Sequence, residues 1–458
     1  MKKYFFILVL ILSCFKLTGI INASEPINKY GIHILVPDEV FQAAKLINSS
    51  SGDWGWVTIV IRDDQMEKDI IQKFFDNCRE LHLIPLIRIA THQEKDYWTK
   101  PALEDVRKWL NFFENLNWPT QNRYLIIYNE PNQNKEWGGK ANPIEYGLIL
   151  AEFIKQFKVK NPHYQILNAG FDLAASNSKT TMDAIRFWQE MEKSNPGIFE
   201  KLDGWASHSY PNHGFVGTPY QSGRISIKGY QWELSTLNKY FKISNDLPVF
   251  ITETGWPIRN EKIKNQKSKF LDEKTAIRYL KSAFEDIWLK DDLVMAVTPF
   301  VLSYPEPPFT EFSWLNKQGS PSAEYQMVKS LPKTSWWPKQ EFKYELKNIF
   351  LPPFLPTDST YSGKLKLKNT GQSIWGEQES PIISNLKMIG DKKIKPGESA
   401  EFEFELYSGT VSGQLSFSWG DLPEFKIWVL PSSVITKVEY NLWQKFFRLF
   451  WGFFHKAG

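Results

Sequence analysis

Short apolar runs alternate with longer amphipathic stretches from Tyr30 to about Leu331. The short runs are rich in β-branched residues, and the longer stretches repeat apolar positions every three or four residues. This alternation is typical of βαβ units built around a parallel sheet. The predicted strands are Ile32–Val36, Trp56–Arg62, Ile84–Ile89, Tyr124–Asn129, Ile166–Ala169, Gly204–Ser209, Val249–Thr252 and Met295–Val301. Eight strands with intervening helices over about 300 residues predict an α/β fold, a (β/α)8 TIM barrel spanning residues 27–332.

The hydrophobic pattern changes after the predicted barrel. A proline-punctuated stretch containing Trp336 and Trp337 predicts a linker over residues 333–342. Residues 343–431 then alternate apolar and polar positions between turn signals, which predicts half-buried strands and a small all-β sandwich, similar to immunoglobulin-like accessory domains.

The last 25 residues have a third pattern. In residues 434–458 basic and small polar residues recur every three or four positions, and aromatic residues cover the remaining surface. This pattern predicts a C-terminal amphipathic helix. Such a helix either lies on a membrane surface with its cations toward anionic headgroups, or docks on the rest of the protein.

The first 24 residues carry an export signature. Lys2 and Lys3 precede an apolar stretch, Tyr4–Phe15, so residues 1–24 are predicted to be a signal peptide or an uncleaved signal anchor. The stretch ending at Cys14 also resembles a lipobox, in which case Cys14 would be acylated. We therefore expect an exported protein, extracellular or associated with the cell envelope, with membrane anchoring through one or both termini. If the signal peptide is removed together with Cys14, Cys78 is the single cysteine that remains. Its spacing on a predicted helix predicts a buried thiol.

The amino-acid composition indicates which classes of ligand and partner to expect. The chain contains 33 Phe, 19 Trp and 18 Tyr, most of which should fill a large core while some face sugars. The net charge of +4, from 55 basic and 51 acidic residues, gives no reason to expect nucleic acid. The seven histidines lack ligand spacing and no glycine-rich phosphate loop is present, so no metal or cofactor is predicted.

Two glutamates follow predicted strands at positions suited to chemistry. The fourth strand ends in Asn129-Glu130-Pro131, and the seventh is followed by Glu253. Because the carboxyl ends of barrel strands share one rim, both carboxyl groups should meet there. One carboxyl group that is protonated and one that is ionised can together cleave a glycosidic bond.

Residues 30–331 here resemble the clan A glycoside hydrolases, the retaining β-glycosidases on this barrel that include cellulases and β-xylosidases. The resemblance rests on Asn129, Glu130 and Glu253. It implies that Glu130 is the acid/base, that Glu253 is the nucleophile and that Asn129 binds the sugar hydroxyl next to the anomeric carbon. The implied function is retaining hydrolysis, or transglycosylation, of β-linked polysaccharide or oligosaccharide in an extracellular or cell-envelope setting. The alternative is a non-catalytic carbohydrate-binding or surface scaffold protein.

The resemblance implies further contacts. His208 and Tyr210 share one face of the sixth strand, where relatives contact substrate and nucleophile, although a hydrogen-bonded core pair would have the same spacing. Arg62 ends the second strand, where relatives hold an arginine against the nucleophile. An ion pair with Asp63 or Asp64 is the competing interpretation.

The aromatic floor of the sugar site is the main departure from the family. Relatives place a tryptophan on the eighth strand, whereas this chain has Phe300 and Tyr304 there. Either could substitute, and further aromatic candidates come from neighbouring loops. These candidates are Trp137, Trp256 and Trp314. Weaker polar candidates, which could equally serve packing, are Arg88, His92 and His33.

Overall fold

The computed structural model describes residues 26–244, 246–259, 270–377, 383 and 385–434. In its larger part strands and helices alternate. The strands are β1 (Gly31–Ile34), β2 (Gly55–Arg62), β3 (Leu83–Ala90), β4 (Arg123–Ile127), β5 (Tyr164–Leu167), β6 (Trp205–His208), β7 (Val249–Glu253) and β8 (Val294–Val297). The helices are α1 (Val40–Ile47), α2 (Lys68–Glu80), α3 (Asp105–Glu114), α4 (Pro143–Lys160), α5 (Ala184–Ser194), α6 (Gly229–Phe241), α7 (Glu273–Ser282) and α8 (Ala323–Ser330). Helix α7 continues as a π-helical turn, Ala283–Trp288.

The strands form two parallel sheets. Strands β1 to β5 pair in chain order, and β6, β7 and β8 pair in a second sheet. Single parallel bridges join the sheets at both seams, Leu167 with Gly204 and Tyr30 with Val297. The predicted α/β class with parallel strands is confirmed, and the carboxyl ends of these strands lie on one side.

The eighth strand is shorter than predicted. It ends at Val297 rather than Val301, because the following residues leave the strand ladder. The backbone N–H of Phe300 donates to Thr254 O at 3.0 Å instead, which turns the chain over the end of β7. The side chains of Phe300 and its successors are therefore free to cover the strand ends.

The strands are buried on both faces, as expected for a parallel sheet covered by helices. Every residue of β3 is buried. On the inner side Trp56, Tyr124 and Phe250 fill the space near the amino ends of the strands. Trp336 packs against this cluster and donates from Nε1 to Trp54 O at 2.8 Å, so the predicted linker is seated on the strands it follows.

The C-terminal unit contains β9 (Tyr344–Ile349), β10 (Phe354–Pro356), β11 (Thr360–Asn369), β12 (Leu386–Met388), β13 (Ser399–Tyr407), β14 (Gly413–Phe417) and β15 (Phe425–Leu430). One antiparallel sheet has the order β9-β11-β13-β12, and the other has the order β10-β15-β14. Exposed and buried residues alternate along β11 and β13. Their buried side chains share a core with Leu355 and Ile427 of the other sheet, so the two sheets face each other.

Polar contacts join the C-terminal unit to the parallel-strand unit. His82 Nδ1 lies 2.8 Å from Asp53 Oδ1, and its Nε2 lies 3.4 Å from Glu377 Oε2. The His82 ring also stacks on Trp54, with ring centroids 4.8 Å apart. Burial lowers the pKa of His82, but the two carboxylates outweigh that effect and raise the pKa to about 9. A protonated histidine therefore links the units.

Two predicted segments fall outside the described residues. They are the export segment, residues 1–24, and the amphipathic helix, residues 434–458, of which only Val434 is described. Among the helices of the described ranges, none has both the length and the apolar character needed to cross a bilayer.

Candidate active site

A cleft of about 830 Å³ opens at the carboxyl ends of the parallel strands. Its polar wall is built by residues near the carboxyl ends of these strands or in the loops that follow them. They include His33, Arg62, Arg88, Asn129, Glu130, Tyr210 and Glu253. The cleft thus collects most of the polar candidates predicted from the sequence.

The two glutamates converge on one histidine. Glu253 is the last residue of β7, and Glu130 lies three residues beyond β4. His208 Nδ1 lies 3.0 Å from Glu130 Oε1 and 3.8 Å from Glu253 Oε2. Because both distances share one atom, these two carboxylate oxygens are at most about 6.8 Å apart.

Glu253 is held as an anion. Arg88 Nη1 donates to Oε1 at 2.5 Å, and the Tyr210 hydroxyl donates to Oε2 at 3.1 Å. Burial alone raises the pKa of Glu253, but the positive charges of His208 and Arg88 outweigh it and hold that pKa well below its ordinary value. Glu253 is therefore ionised at neutral pH.

Glu130 has a different environment. Gln133 Nε2 donates to Glu130 Oε2 at 2.6 Å and to Asp172 Oδ2 at 3.1 Å. The backbone of Glu130 has a φ of 32°, an uncommon value for a residue with a side chain, and its N–H donates to Gly170 O at 3.0 Å. Burial and the charge of Glu130 raise the pKa of Asp172. Glu130 thus lies beside Gln133 and Asp172 as well as His208, whereas Glu253 lies beside both Arg88 and His208.

His208 reaches both carboxylates because of a glycine. A Cβ at Gly170 would overlap the His208 ring, so a side chain there would displace the imidazole. His208 itself is only 2% exposed. Burial lowers its pKa, yet the negative charges of Glu253 and Glu130 outweigh burial and raise it. The two carboxylates on either side of His208 therefore favour its protonated form.

The expected contact between Arg62 and the nucleophile is wrong. Arg62 lines the cleft, but its Nε and Nη2 donate to Asp64 at 2.9 and 3.0 Å, which is the competing ion pair. The side chain of Arg62 is 35% exposed at the end of β2, whereas that of Arg88, inside β3, is 8% exposed and reaches Glu253. His92 likewise pairs with Asp63 at 2.9 Å near the surface.

The tryptophans predicted to face sugar are in the core. Trp137 is buried and donates from Nε1 to Glu145 Oε2 at 3.3 Å, and the buried Trp256 donates to Gly217 O at 2.8 Å. Neither is among the residues that line the cleft. Trp314 is buried as well. These three predictions are wrong, whereas Phe300 and Tyr304 do line the cleft.

Sequence reasoning missed many residues that line the cleft, among them four whose side chains suit sugar binding or chemistry. Trp98 comes from a short hairpin, Gln93–Glu94 and Tyr97–Trp98, that follows β3. Gln133 and Glu136 lie three and six residues after Glu130, and Asp172 follows β5. Polar and aromatic residues in loops directly after strand ends were the available signal.

His33 occupies the base of the cleft. It is fully buried, and neither ring nitrogen has a hydrogen-bond partner among the residues that the structure describes. Its ring meets the edge of Phe300, with centroids 5.2 Å apart. Burial and the charge of Arg88 lower the pKa of His33 to about 3, so the imidazole is neutral beside Glu253.

Among known proteins, the chain is similar only to solved structures. No family model and no curated protein sequence matches the chain. A monomeric β-xylosidase from Caulobacter crescentus is 14% identical over 66% of this chain and 67% of its own, with a TM-score of 0.48. A mannohexaose complex of Thermomonospora fusca β-mannanase is 13% identical over 66% of this chain and 89% of its own, with a TM-score of 0.40.

A third similar structure is a calcium-binding mutant of Bacteroides uniformis β-glucuronidase 2. It is 11% identical over 89% of this chain, with a TM-score of 0.44, and the chain spans about half of its length (46%). All three are named as glycosidases of β-linked sugars. At these identities the function has to be inferred from the residues of the cleft.

Proposed function

We propose that this protein is a retaining β-glycosidase with Glu253 as nucleophile and Glu130 as acid/base. The observation that carries the proposal is the approach of both carboxylates to His208 Nδ1, at 3.0 and 3.8 Å. Carboxyl groups of retaining glycosidases lie ~5 to 5.5 Å apart, and those of inverting enzymes ~6.5 to 9.5 Å apart. The upper limit of about 6.8 Å in this cleft favours retention.

The roles proposed for the two carboxyl groups together form a double displacement. Glu253, kept ionised by Arg88 and His208, attacks the anomeric carbon while protonated Glu130 gives its proton to the departing oxygen. The resulting glycosyl ester on Glu253 is then attacked by water. Glu130 takes a proton from that water, and the ester bond to Glu253 breaks. The product keeps its anomeric configuration and both glutamates return to their initial states.

The cleft suits a polysaccharide or oligosaccharide. Trp98, Phe300 and Tyr304 line it beside the polar groups, and aromatic faces pack well on the C–H-rich faces of pyranose rings. Asn129 lines the cleft and accepts from Arg88, and the family resemblance assigns it the contact with the hydroxyl next to the anomeric carbon.

Activity measurements test the proposed roles. A panel of 4-methylumbelliferyl β-glycosides should identify a substrate, and Glu130→Gln should lower kcat by roughly 10² to 10⁴-fold on it. Glu253→Gln should abolish turnover, because no ester can form. Glu94→Gln, in the exposed hairpin after β3, is the matched control and should retain activity.

Trapping distinguishes the nucleophile. A 2,4-dinitrophenyl 2-deoxy-2-fluoro-β-glycoside should label the peptide that contains Glu253 and no other. Proton NMR of the first product should show the β-anomer. Labelling of a different residue, or an initial α-anomer, would contradict the proposed mechanism. A wild-type protein that binds glycans but turns over no substrate would instead support a non-catalytic scaffold.

We further propose the architecture and location that the sequence predicts. The bridges at both seams support closure of β1 to β8 into a (β/α)8 barrel, and the shared core of the C-terminal sheets supports an immunoglobulin-like sandwich. Residues 1–24 would direct export, and residues 434–458 would contact a membrane surface. Deletion from Val434 onward should release the protein from membranes, and unchanged partitioning would contradict that contact.

A further inference from the structure

The side-chain amide of Asn129 is held at both ends by charged groups. Arg88 Nη1 donates to Asn129 Oδ1 at 2.9 Å, and Asn129 Nδ2 donates to Glu136 Oε2 at 3.2 Å. The same Arg88 nitrogen donates to Glu253 at 2.5 Å. A continuous chain of hydrogen bonds therefore runs from the proposed nucleophile through Arg88 and Asn129 to Glu136.

Only one orientation of the amide satisfies this chain. A guanidinium group only donates hydrogen bonds, and an ionised carboxylate only accepts them. Turning the Asn129 amide over would set its NH2 group against Arg88 and its oxygen against Glu136, so both contacts would be lost. With its present orientation Asn129 keeps one N–H for a further acceptor.

The position of Glu136 allows it to hold the Asn129 amide in this orientation. It lines the cleft, and its side chain is 9% exposed. It lies in the 3-10 turn Asn134–Glu136, six residues after Glu130, so the loop that carries the proposed acid/base also carries this carboxylate. Burial of a carboxylate is unfavourable unless its oxygens are hydrogen-bonded, and Asn129 supplies such a bond.

We propose that Glu136 is a positioning residue that orients Asn129 toward the substrate. By accepting from one N–H of Asn129, Glu136 directs the other toward the sugar hydroxyl beside the anomeric carbon. The inference rests on the proposed function, because the hydroxyl contact of Asn129 belongs to it. Selectivity for a 2-hydroxyl over a 2-deoxy sugar would then depend on Glu136, which itself does not touch the reacting atoms.

Ionisation of Glu136 should control this orientation. Burial and the negative charge of Glu130 raise the pKa of Glu136 to about 7, while Asn129 and the cations Lys135 and Arg88 act in the opposite direction. Above this pH the carboxylate can only accept and fixes the amide. Below it the protonated carboxyl group can also donate, so the constraint on Asn129 weakens.

Paired substrates test the effect on catalysis. On a 4-nitrophenyl β-glycoside chosen from the active panel, Glu136→Ala should lower kcat/KM roughly 10- to 100-fold, the range expected for a hydrogen bond to a charged group. Glu136→Gln should restore it only in part, because its amide oxygen still accepts from Asn129 but its NH2 group can also donate. On the 2-deoxy counterpart both variants should match the wild type. Equal losses on the two substrates would mean a general structural role and would overturn the inference.

A double variant tests whether Glu136 acts through Asn129. Adding Glu136→Ala to Asn129→Ala should cause no further loss of kcat/KM, since the group that Glu136 orients is already absent. Multiplied losses in the double variant would show that the two residues act independently. That result would also overturn the inference.

An NMR titration tests the contact without any activity. In protein labelled with ¹⁵N-asparagine, the side-chain signal missing from Asn129→Ala should shift with pH around a midpoint near 7. The shift should disappear in Glu136→Gln, and its persistence there would refute the contact. An inactive wild type with this titration intact would overturn the proposed glycosidase and the catalytic part of this inference, while leaving the orientation of Asn129 established.

Discussion

Removal of Arg88 should shift the acid limb of the pH profile of kcat/KM to higher pH. Its guanidinium donates to Glu253 at 2.5 Å and contributes to the lowered pKa of that carboxylate. Since the nucleophile must be ionised, activity falls as the pH drops through its pKa. Arg88→Ala should raise this pKa, so activity should be lost at a higher pH than in the wild type.

The size of the shift follows from the geometry. With an effective dielectric constant of about 20, unit charges about 4 Å apart attract by roughly 4 kcal/mol, which corresponds to about three pH units. His208 remains 3.8 Å from Glu253 in the variant, and water can enter the vacated space. We therefore expect the acid limb of kcat/KM to move up by roughly 1 to 2 pH units.

Arg62→Ala is the matched control, because Arg62 lines the same cleft but pairs with Asp64. The assay is kcat/KM between pH 3 and 9 for the wild type and both variants, on the substrate found in the glycoside panel. A shifted limb in Arg62→Ala together with an unchanged limb in Arg88→Ala would refute the assignment of Arg88 as the cation of the nucleophile.

Three further predictions concern other parts of the structure. Gly170→Ala should displace the His208 ring and lower kcat/KM at least about 10-fold with a lower Tm, and wild-type values of both would contradict the packing constraint. His82→Gln should destabilise the protein by about 1 to 3 kcal/mol at pH 6, because a pKa raised to about 9 contributes stability below the ordinary pKa that is lost as the pH rises through 9. Denaturation at pH 6 and pH 10 checks this, and an equal loss at both values would contradict it. Trp98→Ala should lower kcat/KM about 10-fold on oligosaccharides, as expected for one aromatic contact, while the Tm stays near that of the wild type.

The strands were predictable because burial on both faces leaves a strong local signal. The runs around Ile84–Ile89 and Val249–Thr252 are almost continuously apolar, and the structure places β3 and β7 over them. The predicted end of β8 was wrong for a non-local reason. The run of apolar residues continues to Val301, but the chain leaves the sheet after Val297 to cover the end of β7.

The positions of Glu130 and Glu253 were predictable because each directly follows a predicted strand, and parallel strands bring such positions to one rim. The sequence could not show whether Arg62 or Arg88 contacts Glu253, because both arginines lie near that rim on neighbouring strands. The decision depends on Asp64, two residues after Arg62, which captures the more exposed arginine at 2.9 Å.

The sequence also could not show which aromatic residues line the cleft. A tryptophan near a strand end can face either sugar or core, and the sequence contains the same letter in both cases. Trp137 and Trp256 are buried in the core, where carboxylate or carbonyl oxygens accept from their indole nitrogens. Trp98 is carried into the cleft by a two-stranded hairpin whose pairing is too short for a periodic pattern to reveal. Local patterns therefore specify which residues reach the rim, whereas contacts between loops decide which of them can meet a substrate.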